Sequence, residues 1–339
     1  MPISLSDPAP RTDARTRAAW QTQVAAARKT PGLLPLLLRQ RHELLPRFAM
    51  AHHQLRTLPK RVRRRLQRHW HASLGGLALL FTLGQAPALA VMINVDGTVC
   101  TLVDAITAAN ANALVDGCDG RASIGADTLV LQPSSVHTLT AVNNTTYGPT
   151  GLPVVSSAIT IKGNGSTIQR DSGALNFRIF AVNGTGNLTL QETTISGGIA
   201  SGPGGDGGGI FNAAGSVTLS NSTVSDNTAD LSGGGVFNRA DGSGVSAVLA
   251  VINSILAGNT ANAGGAVSNR ASSGASAKLT ITNSTLAGNT ANAGGAVSNR
   301  ALSGAGAVLT VINSTLAGNT ADSGGGGTTE PPTLGRAPC

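Results

Sequence analysis

Along the C-terminal half of the chain, apolar and polar positions alternate in short runs. Lys278-Leu279-Thr280-Ile281-Thr282-Asn283-Ser284-Thr285-Leu286 is a clear instance. Leu279 and Ile281 project one way and Thr280 and Thr282 the other, which predicts a strand with one buried face. Between such runs stand Gly-Gly-x-Val/Ile corners, at Gly208-Gly209-Ile210, Gly234-Gly235-Val236, Gly264-Gly265-Ala266-Val267 and Gly294-Gly295-Ala296-Val297. Paired glycines allow a tight corner with positive φ ahead of a short strand.

The alternation repeats almost literally. Leu256 through Arg270 returns as Leu286 through Arg300, and Asn253, Asn283 and Asn313 follow one another at a step of 30 residues. One unit cannot bury its apolar face alone, but stacked units can, each position lying about 4.8 Å below its counterpart. The pattern therefore predicts an all-β chain wound as a parallel β-helix. Like residues then form ladders. Asn221, Asn253, Asn283 and Asn313 make one expected column and Asn227, Asn259, Asn289 and Asn319 another. In such columns side-chain amides donate and accept along the stack and satisfy turn backbone, a structural rather than a ligand-binding role.

Charge divides the chain. Residues 1–90 carry 15 Lys and Arg against three acids, and the remainder carries 9 against 13, so the overall +8 belongs to the leader. A body with net negative charge argues against a nucleic-acid partner. Ser73–Ala90 is an apolar run that follows Lys60-Arg61-Val62-Arg63-Arg64-Arg65 and ends in Ala88-Leu89-Ala90. Together these describe a secretory signal cut after Ala90, with an uncleaved anchor as the alternative. Met50 offers a second start that gives a leader of ordinary length. The expected organisation is a basic leader without a fold (1–72), the signal's apolar region (73–90), a cap with the first coils (91–155), the repeat β-helix (156–327) and a disordered tail (328–339).

The Gly-Gly-Ala-Val and Leu-x-x-Asn pairing of Gly264–Val267 and Leu286–Asn289 resembles the repeat of the polymorphic outer membrane proteins. Val224, Leu256, Leu286 and Leu316 stand where that repeat has Phe. Cys100-Thr101-Leu102-Val103-Asp104-Ala105-Ile106 resembles the opening of bacterial β-helix proteins with a CSLREA-type motif, with Val103-Asp104 in place of its Arg-Glu pair. Asp127–Leu131 and Ile159–Ile168 continue that likeness. The resemblance spans roughly residues 95–325. It implies a right-handed parallel β-helix of the pectate-lyase-like kind and an exported protein, and says little about activity, because one solenoid hosts lyases, hydrolases, adhesins and passenger domains.

Asp104–Ala113 reads as a short helix that caps the first coil. Cys100 and Cys118 flank it, and in an exported chain a disulfide between them is expected, with two independent thiols as the alternative. The chemistry-bearing residues are few. Asp226 and Asp230 lie close together, yet later coils have Gly258, Asn262, Gly288 and Asn292 at those places, so no vertical acid pair is expected. Asp206, Asp241 and Asp322 sit among glycines, as turn residues do. His137 is the only histidine after the leader and belongs to no evident Ser/His/Asp set. Arg239, Arg270 and Arg300 recur and are candidates for a stripe that binds acidic polysaccharide, against the alternative of a solvated face. No cofactor motif and no metal spacing is present. The expected function is a surface-exposed or secreted solenoid with an adhesin-like, structural or carbohydrate-binding role. Its expected partners are an extracellular polysaccharide or a cell surface, with the membrane met only through the leader. A polysaccharide lyase or glycosidase on the same fold is the alternative. An open C-terminal end, if uncapped, predicts self-association.

Overall fold

The computed structural model describes residues 91–120, 126–323 and 327–330. The leader, its cleavage position after Ala90 and the last residues of the tail lie outside them. The described chain is a parallel β-solenoid. A 13-stranded sheet runs from Met92 onward, a six-stranded sheet joins from Phe180 and a five-stranded sheet from Ile199, and a two-stranded antiparallel hairpin lies near the start. Every long-sheet pairing is parallel, which the short corners allow because each strand pairs with its counterpart one coil away.

Registers follow the repeat. Leu249 lies beside Leu279 and Leu279 beside Leu309, while Val251, Ile281 and Val311 form the next inward column. Leu256, Leu286 and Leu316 align in the same sheet beyond the bend. On the second sheet Phe180, Ile210, Val236, Val267 and Val297 line up. The third sheet buries only alanines, Ala200, Ala229, Ala261 and Ala291. Small aliphatic columns on one side and branched ones on the other fill the interior of the repeats, and the few buried aromatics, Phe177, Phe180, Phe211 and Phe237, lie toward its N-terminal part.

The corners have specific causes. Gly264 sits at φ +67, and a Cβ there would come within 2.2 Å of the Val267 carbonyl oxygen. A Cβ on Gly265 would lie 2.3 Å from the Gly295 carbonyl of the next coil. The first contact forbids a side chain within the coil and the second forbids one between coils.

At the start of the solenoid a single helix, α1 (Leu102–Ala111), buries Leu102, Ala105, Ile106, Ala108 and Ala109. It begins two residues before the expected position because Thr101 is its N-cap, accepting a hydrogen bond from the Asp104 N–H. Asn110 fastens the helix to the coil beneath. Its Nδ2 donates to the Val154 carbonyl at 2.8 Å and its Oδ1 accepts from the Ser156 N–H at 2.9 Å. Cys100 and Cys118 form a disulfide with Cα atoms 5.0 Å apart. At the other end Gly327–Glu330 is a strand beside Val297–Arg300, so the second sheet runs past the expected start of the tail. In the coil before it, Val311 and Leu316 are exposed where Ile281 and Leu286 one coil earlier are fully buried.

Candidate functional site

The solenoid carries three polar ladders and two kinds of surface, and the ladders come first because they decide which residues are free to act. Asn227, Asn259 and Asn289 are fully buried. Asn227 Nδ2 donates to Asn259 Oδ1 at 3.1 Å, Asn259 to Asn289 at 3.0 Å and Asn289 to Asn319 at 2.8 Å. Each Oδ1 also accepts the backbone N–H of the asparagine one coil earlier. Each Nδ2 further donates to a carbonyl of that coil, as Asn259 does to Val224 at 2.9 Å. These amides are saturated and have no capacity left for a ligand.

The column of Asn221, Asn253, Asn283 and Asn313 differs from the expected amide stack. The side chains are exposed, and what the four share is a left-handed backbone with φ between 47 and 50. Asn is the residue type that tolerates this conformation best after Gly, which is why it recurs at the bend. The buried ladder at the bend belongs to the next residue. The Ser222 N–H donates to Ser254 Oγ, Ser254 to Ser284 and Ser284 to Ser314, each at 3.1 Å. A third ladder, Asn212, Asn238, Asn269 and Asn299, is linked amide to amide at 2.7, 2.7 and 2.6 Å. Sequence reasoning passed over both, although Ser284 and Asn299 recur in near-literal repeats.

Asp226 and Asp230 each have a place in the turns and loops. Asp226 occupies a left-handed turn position, φ 56, where the following coils place Gly258, Gly288 and Gly318. Asp230 Oδ2 accepts the Gly202 N–H at 2.8 Å and so holds the loop above. Neither has a carboxylate partner in the coils that follow.

Arg239, Arg270 and Arg300 stand in register on the second sheet. Arg239 and Arg270 each have an acid close by. Arg239 pairs with Asp241 at 2.9 Å, with both side chains more than a third exposed. Hydrogen bonds from Arg239 and Ser272 hold the Asp241 carboxyl down to about 2. Arg270 faces Asp206 electrostatically, and the Arg300 backbone runs beside Glu330. Asp206 is itself pushed upward, chiefly by burial, with the Ser232 hydroxyl and the guanidinium groups of Arg270, Arg178 and Arg239 opposing that shift. Acids thus answer Arg239 and Arg270 in part, while the buried Arg270 Nε has no hydrogen-bond partner.

Sequence reasoning also missed Arg178. It is 1% exposed, and its guanidinium donates to the carbonyls of Asp206 at 3.1 Å, Gly204 at 2.7 Å and Tyr147. It lies 5.1 Å from the centre of the Phe211 ring, which stacks between Tyr147 and Phe237. Burial lowers its pKa to about 10, so it stays charged at neutral pH. It clamps two loops onto the second sheet.

Two surfaces remain. On the third sheet Thr260, Thr290 and Thr320 are exposed and in register. Beside them Asn292 Nδ2 donates to Asn262 Oδ1 at 2.9 Å, an exposed amide pair that extends the pattern. The other is a cleft of about 740 Å³ near the cap, lined by Asp96, Val103, Ser135, His137 and Leu139 among others. There Ser135 Oγ lies 3.0 Å from His137 Nε2 and 2.9 Å from Ser166 Oγ. Partial burial holds the imidazole below its usual pKa. The signal for this pair was the spacing Ser-x-His on an alternating strand, which puts both side chains on one face. No family model, curated protein or solved structure matches the chain. Among the described residues no group of acids, histidines and cysteines is placed to hold a metal.

Proposed function

We propose that this is an exported solenoid whose repeat surface binds extracellular carbohydrate. The observation that carries the reading is the third-sheet face. Thr260, Thr290 and Thr320 recur in register beside the Asn262–Asn292 pair, all exposed and all uncharged. Hydroxyls and amides repeated at the strand spacing, about 4.8 Å, suit a neutral polymer that itself presents repeating hydroxyl groups. Export is supported by the basic and apolar leader ending in Ala88-Leu89-Ala90 and by the Cys100–Cys118 disulfide, which persists in oxidising compartments.

This reading sets aside two others on the repeats. An acidic polymer on the arginine column would have to displace Asp241 from Arg239 and compete with Asp206 for Arg270. A lyase or glycosidase would need paired carboxylates, and the coils after Asp226 and Asp230 place Gly258, Asn262, Gly288 and Asn292 there, while Asp230 Oδ2 already accepts the Gly202 N–H. The test is co-sedimentation of the full chain with insoluble neutral and acidic polysaccharides. Binding to a neutral polymer that falls at least tenfold in a Thr260→Glu/Thr290→Glu variant supports the proposal. Binding that the pair of substitutions leaves unchanged, or binding to acidic polymers alone, refutes it.

A further inference from the structure

The cleft at the cap has a chemistry that the repeats lack. Within the repeats the serine ladder is closed. Ser254 Oγ accepts the Ser222 N–H at 3.1 Å and donates to the Ile252 carbonyl at 2.7 Å. Ser135 begins the same ladder, since its N–H donates to Ser166 Oγ at 3.1 Å. Ser166 in turn commits its proton to the Gln132 carbonyl at 2.7 Å. The Ser135 hydroxyl, however, faces the cleft, where His137 Nε2 lies 3.0 Å away. The Ser135 hydroxyl has one proton and two acceptors in reach, Ser166 Oγ at 2.9 Å and, when the imidazole carries its proton on Nδ1, His137 Nε2 at 3.0 Å.

The strand that bears the pair has one partner. Val136–Leu139 pairs only with the strand through Thr167–Arg170. The Ser135 and Leu139 carbonyls accept from Thr167 and Asp171 at 2.9 and 2.8 Å, so the odd-numbered residues turn their backbone groups toward that neighbour. In a parallel ladder the alternate residues point away from it. The Val136 and Thr138 N–H groups therefore face the other edge, where the cleft lies. A backbone N–H immediately after a serine nucleophile is the donor that an acyl-transfer oxyanion needs. Val103 and Leu139 supply an apolar wall.

We propose that Ser135 and His137 are a nucleophile–base pair that hydrolyses small acyl esters in this cleft. Ser135 Oγ attacks the ester carbonyl carbon as its proton passes to His137 Nε2. The bond from that carbon to the alcohol oxygen breaks, and the leaving alkoxide takes the proton from Nε2. Water then adds to the acyl-serine carbon while giving a proton to Nε2, and that proton returns to Ser135 Oγ as it leaves. The products are a carboxylic acid and an alcohol. The imidazole's lowered pKa keeps it neutral, and so able to accept a proton, at neutral pH. Asp96 is the other ionisable group lining the cleft, and its Oδ1 is held by the N–H groups of Thr98, Val99 and Cys100. The activity goes beyond carbohydrate binding and does not depend on it.

The test treats the full chain with a fluorophosphonate probe, maps the adduct by peptide mass spectrometry, and follows hydrolysis of p-nitrophenyl acetate. The expected result is an adduct on Ser135 and none on the buried Ser222. Ser135→Ala should abolish hydrolysis with an unchanged circular dichroism spectrum, and His137→Gln should slow both reactions roughly 100-fold. The wild-type rate should rise with pH through the histidine titration, with a midpoint below 6.5. If Ser135→Ala fails to fold, the mapped adduct on the wild-type chain still decides. Folded wild-type protein without an adduct on Ser135 overturns the proposal, as does a rate indifferent to His137→Gln.

Discussion

The coils from Ser246 to Ala317 and the region from Met92 to Asp206 solve one problem in opposite ways. Both must satisfy backbone groups at the bends of a solenoid whose interior holds almost no water-accessible space. The repeats do it with the same side chain in every coil, so that Asn259 both receives from the coil before and gives to the coil after. The N-terminal region does it with single side chains, Asn110 fastening the helix and a guanidinium that gathers carbonyls from two loops, and adds a disulfide that ties the chain covalently. A ladder leaves nothing unpaired and so leaves nothing to react. Only where the ladder begins, at Ser135, does a hydroxyl face open space beside a base.

The strongest way to break this comparison is to remove one rung. Asn259→Ala orphans the buried Asn227 N–H and takes one partner each from Asn227 Nδ2, which keeps the Ile195 and Ser225 carbonyls, and from the Val224 carbonyl. An orphaned buried group costs about 1–3 kcal/mol and each further lost hydrogen bond about 1 kcal/mol, so the variant should lose roughly 4 kcal/mol in urea unfolding. A loss below about 1 kcal/mol would mean that water enters the column and the ladder is not the main support of the bend.

The N-terminal devices should each cost somewhat less, because each holds a local feature. Arg178→Met takes its donor from the Asp206 and Tyr147 carbonyls, while Gly204 keeps the Asp206 N–H, and the expected loss is about 3 kcal/mol, partly offset because a buried charge goes too. Limited proteolysis should then cut near Tyr147 or Gly204 and spare the repeats. Cleavage within the repeats instead would show that the clamp supports the whole solenoid. A Cys100→Ser/Cys118→Ser variant should lose about 2–3 kcal/mol, the cost of releasing a loop of this length. Hydrogen exchange should show that loss at α1 while Leu279 and Ile281 stay protected.

The same contrast explains how much could be read from the sequence. The strands, their register and the Asn227 column were legible because a step of 30 residues places like over like, and stacking does the rest. The column at Asn253 was legible as a column, but its cause was not. Whether an asparagine is retained for its amide or for its tolerance of positive φ depends on which way the bend turns, and the sequence is the same for both. Arg178 was not legible at all. Its partners are backbone carbonyls of loops 26 to 31 residues away, and a carbonyl leaves no mark in the identity of a residue. Ser135 and His137 left the spacing of a shared face but no repeat to draw attention to it.

A smaller effect separates the two asparagine columns directly. Asn253 is exposed and contributes its backbone conformation. Asn253→Ala should cost about 1 kcal/mol, the penalty of a Cβ in the left-handed region without a tolerant side chain. Asn253→Gly should be neutral within about 0.5 kcal/mol. Equal losses in both variants would show that the amide matters and would merge this column with the buried one.

The smallest effect belongs to the end of the serine ladder. The His137 pKa is lowered by partial burial, so the folded chain binds fewer protons there than the unfolded chain does. Its contribution to stability is therefore complete above the ordinary value of 6.5 and is lost as the pH falls through the folded value. The other titrating groups are common to both proteins, so the histidine can be isolated by comparing wild type with His137→Gln between pH 8 and pH 5. The difference in urea midpoint should be flat from pH 8 to about 7 and then shift against the wild type as the imidazole is protonated. A difference that moves the other way would mean that the charged ring is favoured in the fold. Ser135 would then be facing a proton donor, and the hydroxyl at the end of the ladder would be as closed as those within it.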